Sequence, residues 1–173
     1  KSEASPMFIG PLRTTSYVLG CAKYYPLLAP LASFVKLVLY SNGLMGLYKG
    51  GLNSYGLSLL VFAFIEQSGG LFFADLGDAF VKFCRFVGQL DARSQFIYVA
   101  SQSPLKVWPK QFPEPSLVIY DPTILHANVN VTPTCTLFPK IQELLGRFAK
   151  LADSDESDHL LEPNAFEESL NIQ

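Results

Sequence analysis

The sequence predicts a mostly α-helical fold with a small β element, an α+β architecture in a single domain. Apolar residues recur at helical spacing in several stretches that end at Gly, Pro or Asn. The β-prone runs are short and lie between residues 95 and 120. With 173 residues, 49% of them hydrophobic and 14 of them Phe, the chain can bury one sizeable core.

Two helices are predicted near the start of the chain. Apolar spacing over residues 14 to 31 is interrupted by Pro26 and Pro30, which indicates one helix followed by the beginning of another. Pro30 suits the first turn of the second helix, because its missing N–H has no intrahelical partner there. We expect that helix to run from about residue 30 to 40 and to end in a left-handed cap at residues 41–43, Ser-Asn-Gly.

A glycine-rich loop separates this pair from two further helices. The loop contains Gly50-Gly51, and Asn53 or Ser54 is expected to cap a third helix that extends to about residue 67. A fourth helix, over about residues 71–87, has a broad apolar face. Its aromatic residues are Phe72, Phe73, Phe80, Phe83 and Phe86.

The β element is predicted after the fourth helix. In residues 95–100, the aromatic residues Phe96 and Tyr98 alternate with their neighbours. Residues 117–120 form a short apolar run bounded by prolines. We expect these two runs to pair with each other as a small two-stranded element. Residues 121–133 are a loop by composition, and residues 137–151 form a last helix with one apolar stripe.

Charge divides the chain into a helical domain, residues 10–152, and an acidic tail, residues 153–173. The tail has seven acidic residues and no basic ones, so the rest of the chain has thirteen basic against eight acidic residues, a surplus of five. A mildly basic body with an acidic tail is typical of proteins that handle polyanions, and equally of an ordinary surface with a polar end.

Cysteine usage and hydropathy indicate an intracellular protein in a reducing compartment, without distinguishing cytoplasm, mitochondrion or nucleus. Cys21, Cys84 and Cys135 are odd in number and lie among apolar residues, which predicts buried thiols. The longest apolar candidate span, residues 56–65, is too short to cross a membrane. Two histidines cannot form a zinc-ligand pattern with these cysteines, so no metal site is expected in this chain. The missing initiator Met predicts that the chain begins inside a longer protein.

Four local features are candidates for chemistry, and each also has an ordinary structural explanation. Lys36 lies in an otherwise apolar helix, where a lysine extends to solvent or faces a phosphate. The segment at residues 50–56 is an anion-binding helix start or a simple one. Tyr55 is a ligand-facing or a core aromatic residue. Asp121, which precedes Pro122, is a ligand or a turn former.

In this order, these segments resemble the central, poly(A)-polymerase-associated domain of the terminal RNA nucleotidyltransferases. That family includes the terminal uridylyltransferases and related poly(A) polymerases of the DNA polymerase β superfamily. The resemblance is collinear over about residues 10–153. Its most specific part is Gly-Gly-Leu-Asn-Ser-Tyr at residues 50–55, followed by an apolar helix. Phe-Val-Lys at residues 34–36 and Tyr-Asp-Pro at residues 120–122 also resemble family segments.

The resemblance implies nucleotide-binding roles. Lys36 would contact the triphosphate, and Ser54 would donate a hydrogen bond to a phosphate oxygen. Tyr55 would stack on the base, as aromatic side chains do on nucleobases. Thr14, where the family has Asn, and Thr15 would approach the ribose.

The resemblance also implies that Asp121 reads the base edge and that Asn128 steadies the same loop. Besides Thr14, and Asn130 where the family has Gly, three more positions depart from the family pattern. Tyr40 stands where a second phosphate-binding lysine is usual, and Ile124 and Ala127 stand where polar groups of the loop are usual. The loss of a cation and of polar groups weakens base-selective binding, and it favours a degenerate relative.

The function implied is that of an RNA 3′-terminal nucleotidyltransferase that adds UMP or AMP, with the RNA 3′ end and UTP or ATP as ligands. The family's catalytic aspartates, on a sheet, hold Mg²⁺ or Mn²⁺, and neither they nor the sheet are in this chain. Residues 1–9 would therefore be a leader from the missing catalytic region, and this chain alone is expected to be inactive and to bind no metal. The alternative is a catalytically inactive subunit that acts as an RNA-binding or scaffold protein in a ribonucleoprotein assembly. Neither DNA nor a membrane is an expected partner.

Overall fold

The computed structural model confirms the predicted fold class. It describes residues 6–69, 73–99, 103–108, 116–124 and 128–154, with the backbone alone for residues 6–11. Of the described residues, 58% are helical, and they include a small two-stranded antiparallel sheet. In chain order the elements are α1 (Pro6–Tyr24), α2 (Leu28–Ser41), a short 3-10 helix (Leu47–Lys49), α3 (Ser54–Gln67), α4 (Leu76–Gln89), β1 (Gln95–Ile97), β2 (Leu105–Val107) and α5 (Phe138–Asp153).

Helix α3 forms the centre of the core, since nine of its fourteen residues are buried. Helices α1, α2 and α4 all contact α3, and α4 packs most extensively against α5. Aromatic rings fill the space between these helices. Phe64 on α3 packs edge-on against Phe83 of α4 with ring centroids 5.6 Å apart, and Phe80 contacts Phe148 of α5 at 5.5 Å. Tyr17 on α1 packs edge-on against Phe62 of α3, with ring centroids 6.4 Å apart, and this contact joins those two helices.

The predicted helix ends near the start of the chain are confirmed. Helix α1 ends at Tyr24, two residues before Pro26, and Pro30 lies in the first turn of α2. Helix α2 ends in a left-handed cap at Gly43, whose φ is 67°. The N–H of Gly43 donates to Tyr40 O and the next N–H, that of Leu44, donates to the carbonyl of Leu39. This is the Schellman pattern, which satisfies the last carbonyls of the helix.

The start of α4 differs from the prediction by five residues. Helix α4 begins at Leu76, because Asp75 caps it: the Asp75 side chain accepts a hydrogen bond from the Asp78 N–H at 2.8 Å. Asp78 in turn accepts from the Ala74 N–H at 3.0 Å. This reciprocal arrangement resembles a capping box, and it places Phe73 before the helix.

The β pairing also differs from the prediction. Strand β1 pairs antiparallel with β2, not with residues 117–120, and the register joins Phe96 to Lys106. Residues 117–120 still approach β1, since Ile119 forms an isolated parallel bridge with Ile97. Two segments therefore flank β1, and the hairpin partner is the nearer one in sequence.

Several predicted features fall on residues that the structure does not describe. Phe72, Ala127, residues 1–5 of the predicted leader and residues 155–173 of the predicted tail lie outside the described residues. Within the described ranges, no single helix is long and apolar enough to cross a membrane, although residues 12–24 and 28–41, bent by 118°, pass that criterion as a pair.

The three cysteines are free thiols, as the sequence predicts. Cys84 and Cys135 are buried, and Cys21 is half-buried. Burial raises the pKa of Cys84 to about 12 and the pKa of Cys135 to about 11. The folded protein therefore keeps both thiols protonated at a pH where the unfolded chain ionises them.

We expect the free energy of unfolding to fall as the pH rises from about 9 to about 10. Unfolding then releases thiol protons that the native state retains, which lowers stability by up to about 1.4 kcal/mol per buried thiol and pH unit. Urea unfolding at about pH 8, 9 and 10 measures the slope. A Cys84→Ala variant should show a shallower decline, and an equal decline in both proteins would contradict the assignment.

Candidate functional site

A groove lies between α1 and the N-terminal turn of α3, and we call it the Tyr55 groove. Its volume is about 310 Å³. The lining residues are Thr14, Thr15, Val18, Leu19, Ser54, Tyr55 and Ser58. Four of the seven predicted binding residues therefore lie on one surface, although some forty residues separate the α1 and α3 positions in the chain. Hydroxyl groups dominate the polar part of this lining, and none of the described residues that line it is charged.

The start of α3 is held in place by Asn53. The Asn53 Oδ1 accepts a hydrogen bond from the Gly56 N–H at 2.7 Å, which makes Asn53, not Ser54, the N-cap of the helix. The Asn53 Nδ2 donates to the carbonyl of Val131 at 2.7 Å. Ser54 is thus the first residue of α3, its side chain is exposed, and it lies beside Tyr55 in the groove.

Asp121 is hydrogen-bonded to the Tyr55 hydroxyl and does not itself belong to the residues that line the groove. It is 8% exposed, and its Oδ1 accepts three hydrogen bonds. The donors are the Tyr55 hydroxyl at 2.9 Å, the Thr123 N–H at 2.9 Å and the Thr123 hydroxyl at 2.7 Å. All three donors, among the described residues, bind Oδ1 of the carboxylate.

The loop that carries Asp121 is built by Asn130 and Thr132. The Asn130 Oδ1 accepts from the N–H groups of Ile119, at 3.1 Å, and Thr132, at 2.9 Å. The buried Thr132 hydroxyl lies 2.7 Å from the carbonyl of Leu117. Gly56 of α3 contacts this loop so closely that a Cβ there would lie 2.7 Å from the Thr132 methyl group. The loop and the start of α3 therefore form one rigid unit.

A second hollow, which we call the Arg13 hollow, lies between α1 and the loop that carries Asp121. Its volume is about 540 Å³, and its lining residues are Leu12, Arg13, Ser16, Tyr17 and Thr123. Because Thr123 and Tyr55 both donate to Asp121, a continuous set of hydrogen bonds links this hollow to the Tyr55 groove.

Two tyrosines at the site are held in their neutral form. Burial, followed by the hydrogen bond and charge of Asp121, raises the pKa of Tyr55. Burial, with smaller contributions from Cys21, Glu66 and Asp121, raises the pKa of Tyr17. Both hydroxyls therefore act as hydrogen-bond donors or acceptors at neutral pH, and neither serves as a base.

The Gly50-Gly51 loop does not present free N–H groups to a phosphate. The Gly50 N–H donates to Leu47 O at 3.3 Å, and the Gly51 N–H donates to Gly46 O at 3.0 Å. A Cβ on Gly51 would lie 2.5 Å from the carbonyl oxygen of Leu44. These glycines permit close backbone packing, and the anion-binding helix start that the sequence suggests concerns the first turn of α3 and stays a prediction.

Lys36 and Asn128 lie apart from the lining of the groove. Both side chains are exposed, and neither belongs to the residues that line it. Their proposed roles stay predictions. In the ranges that the structure covers, no three His, Cys, Asp or Glu side chains lie together as a metal site.

The sequence interpretation missed Arg13, Tyr17, Ser58 and Thr123. Ser58 lies one helical turn after Ser54, so helical spacing alone was a sufficient signal. Thr123 follows Asp121 by two residues, the spacing of a side-chain-to-backbone turn. Arg13 and Tyr17 had no such local signal.

Comparisons of this chain with protein-family models, with curated proteins and with solved structures found no match.

Proposed function

We propose that this chain binds a nucleoside triphosphate in the Tyr55 groove, as the nucleotide-clamping part of an RNA 3′-terminal nucleotidyltransferase. The observation that carries the proposal is the convergence of residues that the family resemblance selects from distant parts of the sequence. These residues are Thr14, Thr15, Ser54, Tyr55 and Asp121. A segment with paired aspartates would supply the transfer step, and UTP or ATP would be the donor.

The chemistry of the groove suits a ribose and a base. The hydroxyls of Thr14, Thr15 and Ser54 can exchange hydrogen bonds with ribose and phosphate oxygens. Ser54 and Tyr55 are the first two residues of α3, whose N–H groups have no intrahelical carbonyl partner and attract anions.

Recognition of the base would fall to Tyr55 and Asp121. The half-buried Tyr55 ring borders the groove while its hydroxyl is held by Asp121, so the ring is fixed in orientation before a base arrives. The second oxygen of Asp121 would accept a hydrogen bond from the N–H edge of the base. A base without a matching N–H group would leave this buried acceptor without a donor. The free energy lost in that case makes binding selective for the matching base.

An inactive RNA-binding or scaffold subunit is the second candidate. The observation that favours it is Tyr40, which stands where the resemblance would place a second phosphate-binding lysine and is 72% exposed. A groove without charged lining residues would also hold a triphosphate weakly. Extension of a labelled RNA by a longer form of the protein separates the two candidates.

Replacing Tyr55 with leucine is expected to lower the affinity for UTP and ATP about tenfold, because stacking of a base on an aromatic ring contributes roughly 1–3 kcal/mol. Isothermal titration calorimetry on the 173-residue chain measures this loss.

The matched control is Tyr55→Phe, which also removes the hydroxyl that contacts Asp121 but keeps the ring. We expect the affinity of this variant for UTP and ATP to lie within about threefold of that of the original protein. Such a factor corresponds to less than ~0.7 kcal/mol of binding free energy. Equal losses in both variants would show that Tyr55 acts through its hydroxyl, and the stacking role would be abandoned.

A further inference from the structure

We propose that the Arg13 hollow is a second nucleotide subsite, in which the Arg13 guanidinium binds a phosphate group. The inference rests on the proposed function of the Tyr55 groove, and it names a neighbouring site for a second nucleotide unit. That unit is either a free mononucleotide or a residue of single-stranded RNA, because both present the same phosphate and base.

Geometry is the first support for two subsites. Helix α1 contributes Thr14 and Val18 to the Tyr55 groove, and it contributes Arg13 and Tyr17 to the Arg13 hollow. The two sets of α1 residues are offset by two positions, or about 200° around the helix, so the two sites face opposite flanks of the same helix. Asp121 joins them through Tyr55 on one side and Thr123 on the other, as described above.

The charges of the two linings indicate that Arg13 is the residue that binds the phosphate. The Tyr55 groove is lined by hydroxyl and apolar groups, whereas Arg13 gives its hollow a cation. Arg13 is exposed, and it forms no ion pair with a carboxylate in the described part of the chain. A guanidinium presents a planar set of donors that matches two phosphate oxygens at once.

The rest of the lining suits the base and sugar of the same nucleotide. Leu12 is 68% exposed, and together with the half-buried Tyr17 it forms an apolar wall. The Tyr17 ring is held edge-on by Phe62, with centroids 6.4 Å apart. Ser16 and Thr123 add hydroxyls to this wall. The volume of about 540 Å³ lies within the range of small-molecule sites, roughly 300–1,000 Å³.

The test compares Arg13→Ala with Lys23→Ala in the 173-residue chain. Lys23 is an exposed cation near the end of the same helix and outside both hollows, so its replacement removes the same charge. Fluorescence anisotropy with a labelled uridylate hexamer gives the affinity at several salt concentrations. We expect Arg13→Ala to weaken RNA binding at least fivefold and to reduce the slope of log affinity against log salt by about 0.7, the value for one phosphate contact on a single strand. Lys23→Ala should stay within twofold.

Competition by free UMP identifies the source of the nucleotide. If UMP displaces the RNA from the original protein but not from the Arg13→Ala variant, the hollow takes a free mononucleotide. If UMP leaves the RNA bound, the hollow takes a residue of the RNA chain. Either result supports the subsite, provided that the RNA affinity depends on Arg13.

Other outcomes overturn the inference, and they separate it from the proposed function. Equal weakening by the Arg13 and Lys23 replacements would show an unspecific basic surface. If UTP binds and depends on Tyr55 while no RNA binds, the subsite is refuted and the proposed function stands. If Arg13→Ala weakens UTP as much as Tyr55→Leu does, Arg13 belongs to the first nucleotide and there is no second subsite. If neither nucleotide nor RNA binds, both proposals fail.

Discussion

Replacing Asp121 with alanine is expected to lower the free energy of unfolding by about 3 kcal/mol and to abolish measurable nucleotide binding. The carboxylate is 8% exposed and accepts three hydrogen bonds, so its removal leaves three donors without their acceptor in a poorly hydrated place. Hydrogen bonds to charged groups contribute about 1.5–3 kcal/mol each, and solvent near the loop compensates part of the loss. The melting temperature should fall by roughly 10 °C.

Asp121→Asn separates the structural role of this residue from its proposed role in binding. Asparagine keeps one carbonyl oxygen, which can still accept from Tyr55 and Thr123, so we expect less than half of the stability loss. Its amide nitrogen replaces the second oxygen and cannot accept a hydrogen bond from a base. Nucleotide affinity should therefore fall about tenfold or more even though the protein remains folded. Unchanged affinity in Asp121→Asn would remove Asp121 from the recognition of the base.

Replacing Gly51 with alanine is expected to destabilise the protein by about 3 kcal/mol, at the upper end of overpacking costs. A Cβ at this position would lie 2.5 Å from the carbonyl oxygen of Leu44 and 2.8 Å from the carbonyl carbon of Met45. Both neighbours are backbone atoms held by the Leu52–Leu44 hydrogen bond, so they cannot move aside as a side chain would. Thermal and urea unfolding measure the effect.

The matched control for Gly51 is Gly20→Ala. Gly20 lies within α1, and a Cβ there would have no heavy atom within 4 Å. Because alanine is about 1 kcal/mol more favourable than glycine inside a helix, this variant should be more stable than the original protein. A neutral Gly51→Ala would mean that the loop can relax, and the packing role of Gly51 would be abandoned.

Much of the helical framework was predictable because its signals are local. The Asn53 cap, the left-handed cap at Gly43 and the position of Pro30 each depend on residues within one or two turns of each other. The start of α4 was predicted too early because the phenylalanines continue the apolar pattern upstream of Asp75. The reciprocal hydrogen bonds of Asp75 and Asp78 decide the boundary instead.

The β pairing was predicted less well because strand partners are chosen by tertiary packing. Residues 117–120 have the stronger apolar pattern, but β2 lies closer to β1 in the chain and forms the hairpin. Ile119 instead fits beside Ile97 in the core as an isolated bridge. A short apolar run indicates a strand, but it does not indicate which strand lies beside it.

The sequence by itself determined the fold class, the approximate extent of the helices and the groups of residues worth testing, because helical periodicity and capping depend on neighbours in the chain. Only the tertiary structure decided which groups meet. It brought Thr14 and Thr15 beside Ser54 and Tyr55, and it placed Asp121 against the Tyr55 hydroxyl. It also assigned the loop glycines to packing and left Lys36 and Asn128 outside the groove lining. The physical reason is that these contacts join residues up to 66 positions apart, and burial of the α3 core, not local pattern, fixes their geometry.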